Sequence, residues 1–317
     1  MKYRCPQCGA VGKVEERWVP SAPDDEFNLV NHVVCFLDLV GQQTKLGGWE
    51  RLPESNPTPD FIKALKQTVG TVMAFREMFQ LYFDEAAKSI VPFGIVDSFP
   101  WQERQLIQRA QDCRLKTQQF GDTFVFYSPI PNSDGDVSMG APFQLLFASC
   151  WAMVMSLAGK VPFRGAVSVG TGVELAENVF YGPALWDAYR HEREVAGYPR
   201  VVISPEAMRF FKGNAGFSES PPIDRYMKQM AVVCRSMLCM DTDGQLILDF
   251  LGRGVLDIVG APRPDLTEAI EKAYSFVRSE SQRFRACDEN LALRYAWLQK
   301  YMEARLHLWG LQHLAKK

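Results

Sequence analysis

Two aspartates stand in settings where a carboxylate is expected to do chemistry. Asp38 interrupts the β-branched and aromatic run VVCFLDLV at 33–40, with Gly41 beyond it. That run reads as a strand buried on both faces. An ionised carboxylate there is costly unless a cation or several donors compensate it. Asp122 follows Gly121 at a tight turn between two strand-like halves, LKTQQF and TFVFYSPI. If both belong to one sheet, the two carboxylates meet, and they repel unless a divalent ion lies between them. Hard oxygen donors without a neighbouring His favour Mg²⁺ or Mn²⁺ over zinc, in a site that keeps waters and accepts phosphate oxygens. Phosphoryl or nucleotidyl transfer suits such a site. The plainer alternative is that Asp38 caps a turn near Gly41 while Asp122 simply makes the hairpin.

The stretch Leu39-Val40-Gly41-Gln42-Gln43-Thr44 offers backbone N–H groups where a strand gives way to a helix, a setting that holds anions. It is not a P-loop, because GxxxxGK[ST] is absent. Arg164 opens a strand otherwise built of small and β-branched residues and could reach a phosphate, or it is an edge residue paired with an acid. Arg190, four residues beyond Trp186, could stabilise a transferring phosphoryl group from across a subunit boundary, or be a solvated helix charge. Cys5 and Cys8 make half of a structural Zn²⁺ site, with no second CxxC at ribbon spacing. Cys234 and Cys239, or the same pair from another protomer, could complete it, although buried inert thiols are the simpler reading of the former. The four histidines carry no motif.

The elements that must position these residues are legible in outline. Residues 1–27 form a CxxC appendage and polar, Pro-rich linker. Thr58-Pro59-Asp60 starts a long amphipathic helix through Phe61, Leu65, Val69, Val72, Phe75 and Phe79. Pro142 to Ala158 is apolar nearly all round and predicts a buried helix, FRGAVSVGTG at 163–172 a central strand with Glu174–Tyr181 as its partner, and Gly182-Pro183 the start of a helix. Arg200–Ser204 reads as a short strand. Then MAVVCRSMLCM and QLILDFL flank an Asp-Thr-Asp-Gly turn as a second hairpin, before a closing helix with Leu291, Tyr295, Leu298, Met302 and Trp309 on one stripe. This order predicts an α+β sandwich with helices on one face of a mostly antiparallel sheet. The expected units are a catalytic domain at 28–210 and a hairpin and helical extension at 211–317 packed on it.

With 317 residues, 47% of them hydrophobic and 23% charged, the chain can bury a sizeable core. Its net charge of −2 argues against sustained binding to duplex nucleic acid. MKYRCPQCGA lacks an apolar signal region, and Pro142, Gln144, Ser149 and Ser156 interrupt the most apolar stretch. The expectation is a cytoplasmic protein without membrane insertion, its eight cysteines largely reduced.

FLDLVG, QFGDTFVFY and FRGAVSVGTG…YGPALWDAYRHE, in this order, resemble the class III nucleotide cyclases. More narrowly, RGAVSVG with its following GPA helix, the DTDG hairpin and ENLALRYAWLQKYMEARL are similar to the pyrimidine cyclases of Pycsar antiphage defence. The resemblance spans roughly Asn28 to Leu306. It implies a ferredoxin-like cyclase fold, a homodimer with active sites at the interface, and cyclisation of UTP, or alternatively CTP, to a 3′,5′-cyclic monophosphate read by a separate effector protein. It further implies two Mn²⁺ or Mg²⁺ ions per site on Asp38, Asp122 and the Leu39 carbonyl. The position at which adenylate cyclases read purine falls at Gln118, the transition-state asparagine position at Trp186, and the later-helix arginine at Arg190. The departures at Gln118 and Trp186 argue against adenine. A non-catalytic, cyclase-like nucleotide-binding module is the competing expectation, and retention of both aspartates weighs against it.

Overall fold

The run at 30–39 becomes the centre of the fold. The computed structural model describes residues 2–4, 11–13, 29–42, 58–89, 100, 101, 103–105, 107, 113–131, 138–216 and 222–316. Two short strands, β1 (Lys2–Arg4) and β2 (Val11–Lys13), pair antiparallel in a small sheet of their own. β3 (Val30–Leu39) lies between β5 (Thr123–Pro129) and β6 (Phe163–Ala176), antiparallel to both. β4 (Lys116–Phe120) returns on β5 around Gly121-Asp122, where Gly121 takes φ +62°. Beyond β6 the sheet continues through β8 (Val201–Ile203) to β10 (Leu246–Leu248) and β9 (Leu238–Met240), and β7 (Val179–Tyr181) folds back on β6. The eight-stranded sheet is open and mostly antiparallel, β6 with β8 being its parallel pair.

Alternation along β3 divides its side chains between two cores. Val33, Cys35, Leu37 and Leu39 enter the main core under α1 (Pro59–Ser89) and α2 (Gly140–Ala158). There the Phe79 and Phe126 rings stack at 3.8 Å between centroids. α2 is buried nearly all round, as its composition predicts. It is long and apolar enough to cross a membrane, but almost nine-tenths of it is enclosed by the protein, as befits a core helix. On the other face, Val34 and Phe36 pack with Val125, Tyr127 and Phe180 beneath α3 (Pro183–His191). Helices therefore cover both faces, contrary to the one-sided arrangement expected.

Two further features depart from the expected elements. The segment expected as the first half of the second hairpin is mostly helical: α5 (Pro222–Ser236) precedes a strand limited to Leu238–Met240. Buried Tyr226, Met227, Met230, Ala231 and Cys234 recur at helical spacing, which the β-branched pair Val232-Val233 masks. Glu174–Ala176, expected in the returning strand, extends β6 instead, and the turn falls at Glu177-Asn178. In the C-terminal part, α4 (Pro205–Ala215), α6 (Arg253–Val259) and α7 (Pro264–Phe284) lead to α8 (Glu289–Glu303), capped by Asp288, whose side chain accepts from Leu291 N at 3.0 Å. The sheet and the main core run through position 210 without a break, because β10 pairs with β8 and residues from both segments share one apolar cluster.

Candidate functional site

The β3 register sets Asp38 opposite Thr123 on β5 and Arg164 on β6. Thr123 Oγ1 donates to Asp38 Oδ1 at 2.9 Å, and Arg164 Nη2 lies 3.6 Å from Oδ2. The strand carboxylate thus has the donor and the cation its setting demands, while 28% of its side chain stays open to solvent. Asp122, next to Thr123, is held by its backbone: Leu39 N donates to the Asp122 carbonyl at 3.2 Å. Burial pushes the Asp122 carboxyl above the usual range; hydrogen bonding at its own backbone opposes the shift, and the charge of Asp38 adds to it. The two aspartates, 84 positions apart, line one cleft of about 290 Å³ with Leu39, Gly41 and Arg164.

Arg164 is shared between two acids. Its Nε lies 2.6 Å from Glu192 Oε1, in ion-pair contact but with the N–H misdirected for a linear hydrogen bond. Glu192 is buried where α3 runs into a π-helical turn, Glu192–Ala196. Desolvation raises its carboxyl above the ordinary range; Arg164 opposes this and Asp38 reinforces it. Gly165 makes the strand approach possible, since a Cβ there would collide with the Leu37 side chain and lie 2.5 Å from the Phe36 carbonyl. A further wall consists of Gly197, Tyr198 and Pro199, and another of Leu291, Arg294 and Tyr295 on α8.

Of the other expected site residues, Gly41 turns the chain with φ +86°, and Gln42 is buried with neither amide atom hydrogen-bonded among the described residues. Gln43, Thr44, Cys5 and Cys8 lie outside the described residues. Within one chain, Gln118, Trp186 and Arg190 do not line the cleft. The Gln118 side chain accepts from Phe180 N at 2.7 Å, Trp186 is 65% exposed beside Tyr189, and Arg190 donates to Asp187 at 3.0 Å. Cys234 is buried on α5 and Cys239 sits on β9, where its sulfur accepts a hydrogen bond from Arg305; burial raises both thiols, Cys239 to about 12.

Glu192, Tyr198 and Arg294 lie beyond what the sequence pattern singles out. Glu192 closes the helical stripe of Leu185, Ala188 and Tyr189, and Arg294 is flanked by Leu291 and Tyr295 of the expected apolar stripe, but neither pattern marks a site residue. Among the described residues no group of three or more His, Cys, Asp and Glu side chains is arranged to hold a metal. Two carboxylates facing one partly open cleft still fit a hard cation that completes its shell with backbone oxygen, water or phosphate. No model of a known protein family matches the sequence, and no curated protein matches it.

Proposed function

We propose that the chain is a Mn²⁺- or Mg²⁺-dependent pyrimidine nucleotide cyclase, converting UTP to 3′,5′-cyclic UMP and pyrophosphate as a cytoplasmic second messenger in antiphage defence. The observation that carries this reading is the meeting of Asp38 and Asp122 in one cleft beside Arg164. The resemblance to class III cyclases supplies the reaction and the choice of a pyrimidine.

Asp38, Asp122 and the Leu39 carbonyl would hold the divalent ions, whose charge acidifies the ribose 3′-hydroxyl and neutralises the triphosphate. The chain's residues align the 3′-oxygen with the α-phosphorus. The new O–P bond forms as the bond to the bridging oxygen of the β-phosphate breaks; pyrophosphate leaves and the hydroxyl proton passes to water. Arg164, already beside Asp38 and braced by Glu192, orients the Asp38 carboxylate and contributes positive charge where phosphate oxygens arrive. Arg190, Trp186 and Gln118 would act only on a cleft completed by a second copy of the chain, since within one chain they lie outside it.

Incubation of the purified protein with UTP, CTP, ATP or GTP and Mn²⁺, followed by chromatography, is the direct test. Cyclic UMP is the expected product, lost in Asp38→Ala and Asp122→Ala; cyclic CMP in its place would move the assignment to CTP. If no triphosphate cyclises, or if Asp38→Ala keeps full activity, the reading fails. Zinc analysis of Cys5→Ser tests the separate structural site: bound zinc is expected to be lost with little change in turnover.

A further inference from the structure

We propose that Arg294, on the C-terminal helix α8, is the guanidinium that grips the polyphosphate tail of the nucleotide bound at the Asp38/Asp122 cleft. The inference rests on the metal-dependent nucleotide reading above and names a binding residue that this reading lacked. Arg294 lines the same cleft as both aspartates, from a different wall. It is exposed, and no acid stands one turn away on its own helix: the positions three and four before it are Leu291 and Asn290, and those three and four after it are Trp297 and Leu298. Arg164, the other arginine among the described residues that line the cleft, is already paired with Asp38 and Glu192.

The helix that presents Arg294 is firmly seated. Tyr295 is buried against Phe276 and Phe284, and Leu298 is buried one turn further on. An exposed guanidinium on a fixed backbone gives up little hydration before binding, and its planar fork suits two phosphate oxygens at once. With cations on the aspartate side and Arg294 across from them, a triphosphate would be held at both ends. The C-terminal extension thereby becomes part of the binding site.

Titration calorimetry of the full chain with inorganic tripolyphosphate in the presence of Mn²⁺ tests this. Arg294→Ala is expected to weaken tripolyphosphate at least tenfold and to raise the KM for UTP similarly, with Arg294→Lys recovering part of both. Mn²⁺ binding without phosphate should change less than twofold, and the thermal midpoint should not move. Equal tripolyphosphate affinity in wild type and Arg294→Ala overturns the inference alone. Weakened binding in a protein that cyclises no nucleotide supports Arg294 as an anion ligand and sinks the cyclase reading. A wild-type protein that binds no tripolyphosphate with Mn²⁺ overturns both.

Discussion

Replacing Arg200 by Met should be among the most damaging single changes in the chain, and the cost follows from the groups it leaves without a partner. Arg200 is buried beside the cleft wall at Gly197–Pro199. Its Nε donates to the Ala196 carbonyl and Nη2 to the Val195 carbonyl, each at 2.8 Å; Nη1 reaches Asp241 Oδ2 at 2.5 Å and Nη2 reaches Asp243 Oδ2 at 2.6 Å. Asp241 also accepts from the Tyr198 hydroxyl and from Thr242 N, so it would not be wholly orphaned by the loss of the cation. Asp243 is 40% exposed, and its pair adds only ~0.5 kcal/mol. Removing one partner of a buried pair typically costs ~3–5 kcal/mol, and the remaining Asp241 donors place Arg200→Met at the lower end, ~3 kcal/mol. That is a large share of the ~5–15 kcal/mol that holds a typical domain together. Urea unfolding is the assay, with an unchanged slope showing that the loss lies in native stability. Adding Asp241→Asn should recover part of the loss, with a coupling energy above ~1 kcal/mol because the two residues touch. A single-variant loss under ~1 kcal/mol, or additive losses within ~0.5 kcal/mol, would refute the reasoning.

Two further outcomes follow from the same geometry. The Arg200 hydrogen bond holds the Asp243 carboxyl below its usual value of 3.8, against some desolvation. Its contribution is therefore present above the ordinary carboxylate range and lost as pH falls through the lowered value; Asp243→Asn should flatten the acid limb of a stability–pH curve by ~0.5 kcal/mol. Gly165→Ala drives a Cβ into the Phe36 carbonyl, which is backbone and cannot swing away, so a loss of ~1–3 kcal/mol is expected in urea, together with weaker Mn²⁺ binding as Arg164 shifts.

The parts of the site visible in the sequence are those that local composition controls. VVCFLDLV could only be a buried strand, and a carboxylate inside it had to find partners; Gly121-Asp122 between two β-rich halves could hardly be other than a hairpin turn. The donor to Asp38, Thr123, is the residue after that turn, so the hairpin already contained it. Glu192 closes the helical stripe of Leu185, Ala188 and Tyr189, but its role was illegible because its pairing with Arg164 depends on α3 crossing the second face of the sheet. Arg294 was hidden for the opposite reason. The stripe on α8 declares which side faces the core, while the approach of Arg294 to aspartates far away along the chain is decided by how α7 and α8 pack. The strand that became α5 failed because two adjacent valines outweighed a 3.6-residue period that only burial makes plain.

Register ties the candidate chemistry to the stability of the fold. Along β3 the odd positions from Val33 to Leu39 fill the main core, whereas Val34 and Phe36 pack on the opposite face under α3, and alternation puts Asp38 on that same face. A slip of one residue against β5 would turn Asp38 toward the apolar, aromatic layer of Phe75, Phe79 and Phe126. It would also separate Asp38 from Thr123 and Arg164. The apolar residues of β3 therefore select the one alignment in which the carboxylate meets its donor, its cation and the turn that carries Asp122. Because that selection is made by the core, Asp38→Asn should keep the fold while removing a charge that a bound cation would need. Loss of metal binding in that variant would thus report on the site, and a loss of folding would mean that the carboxylate is structural first.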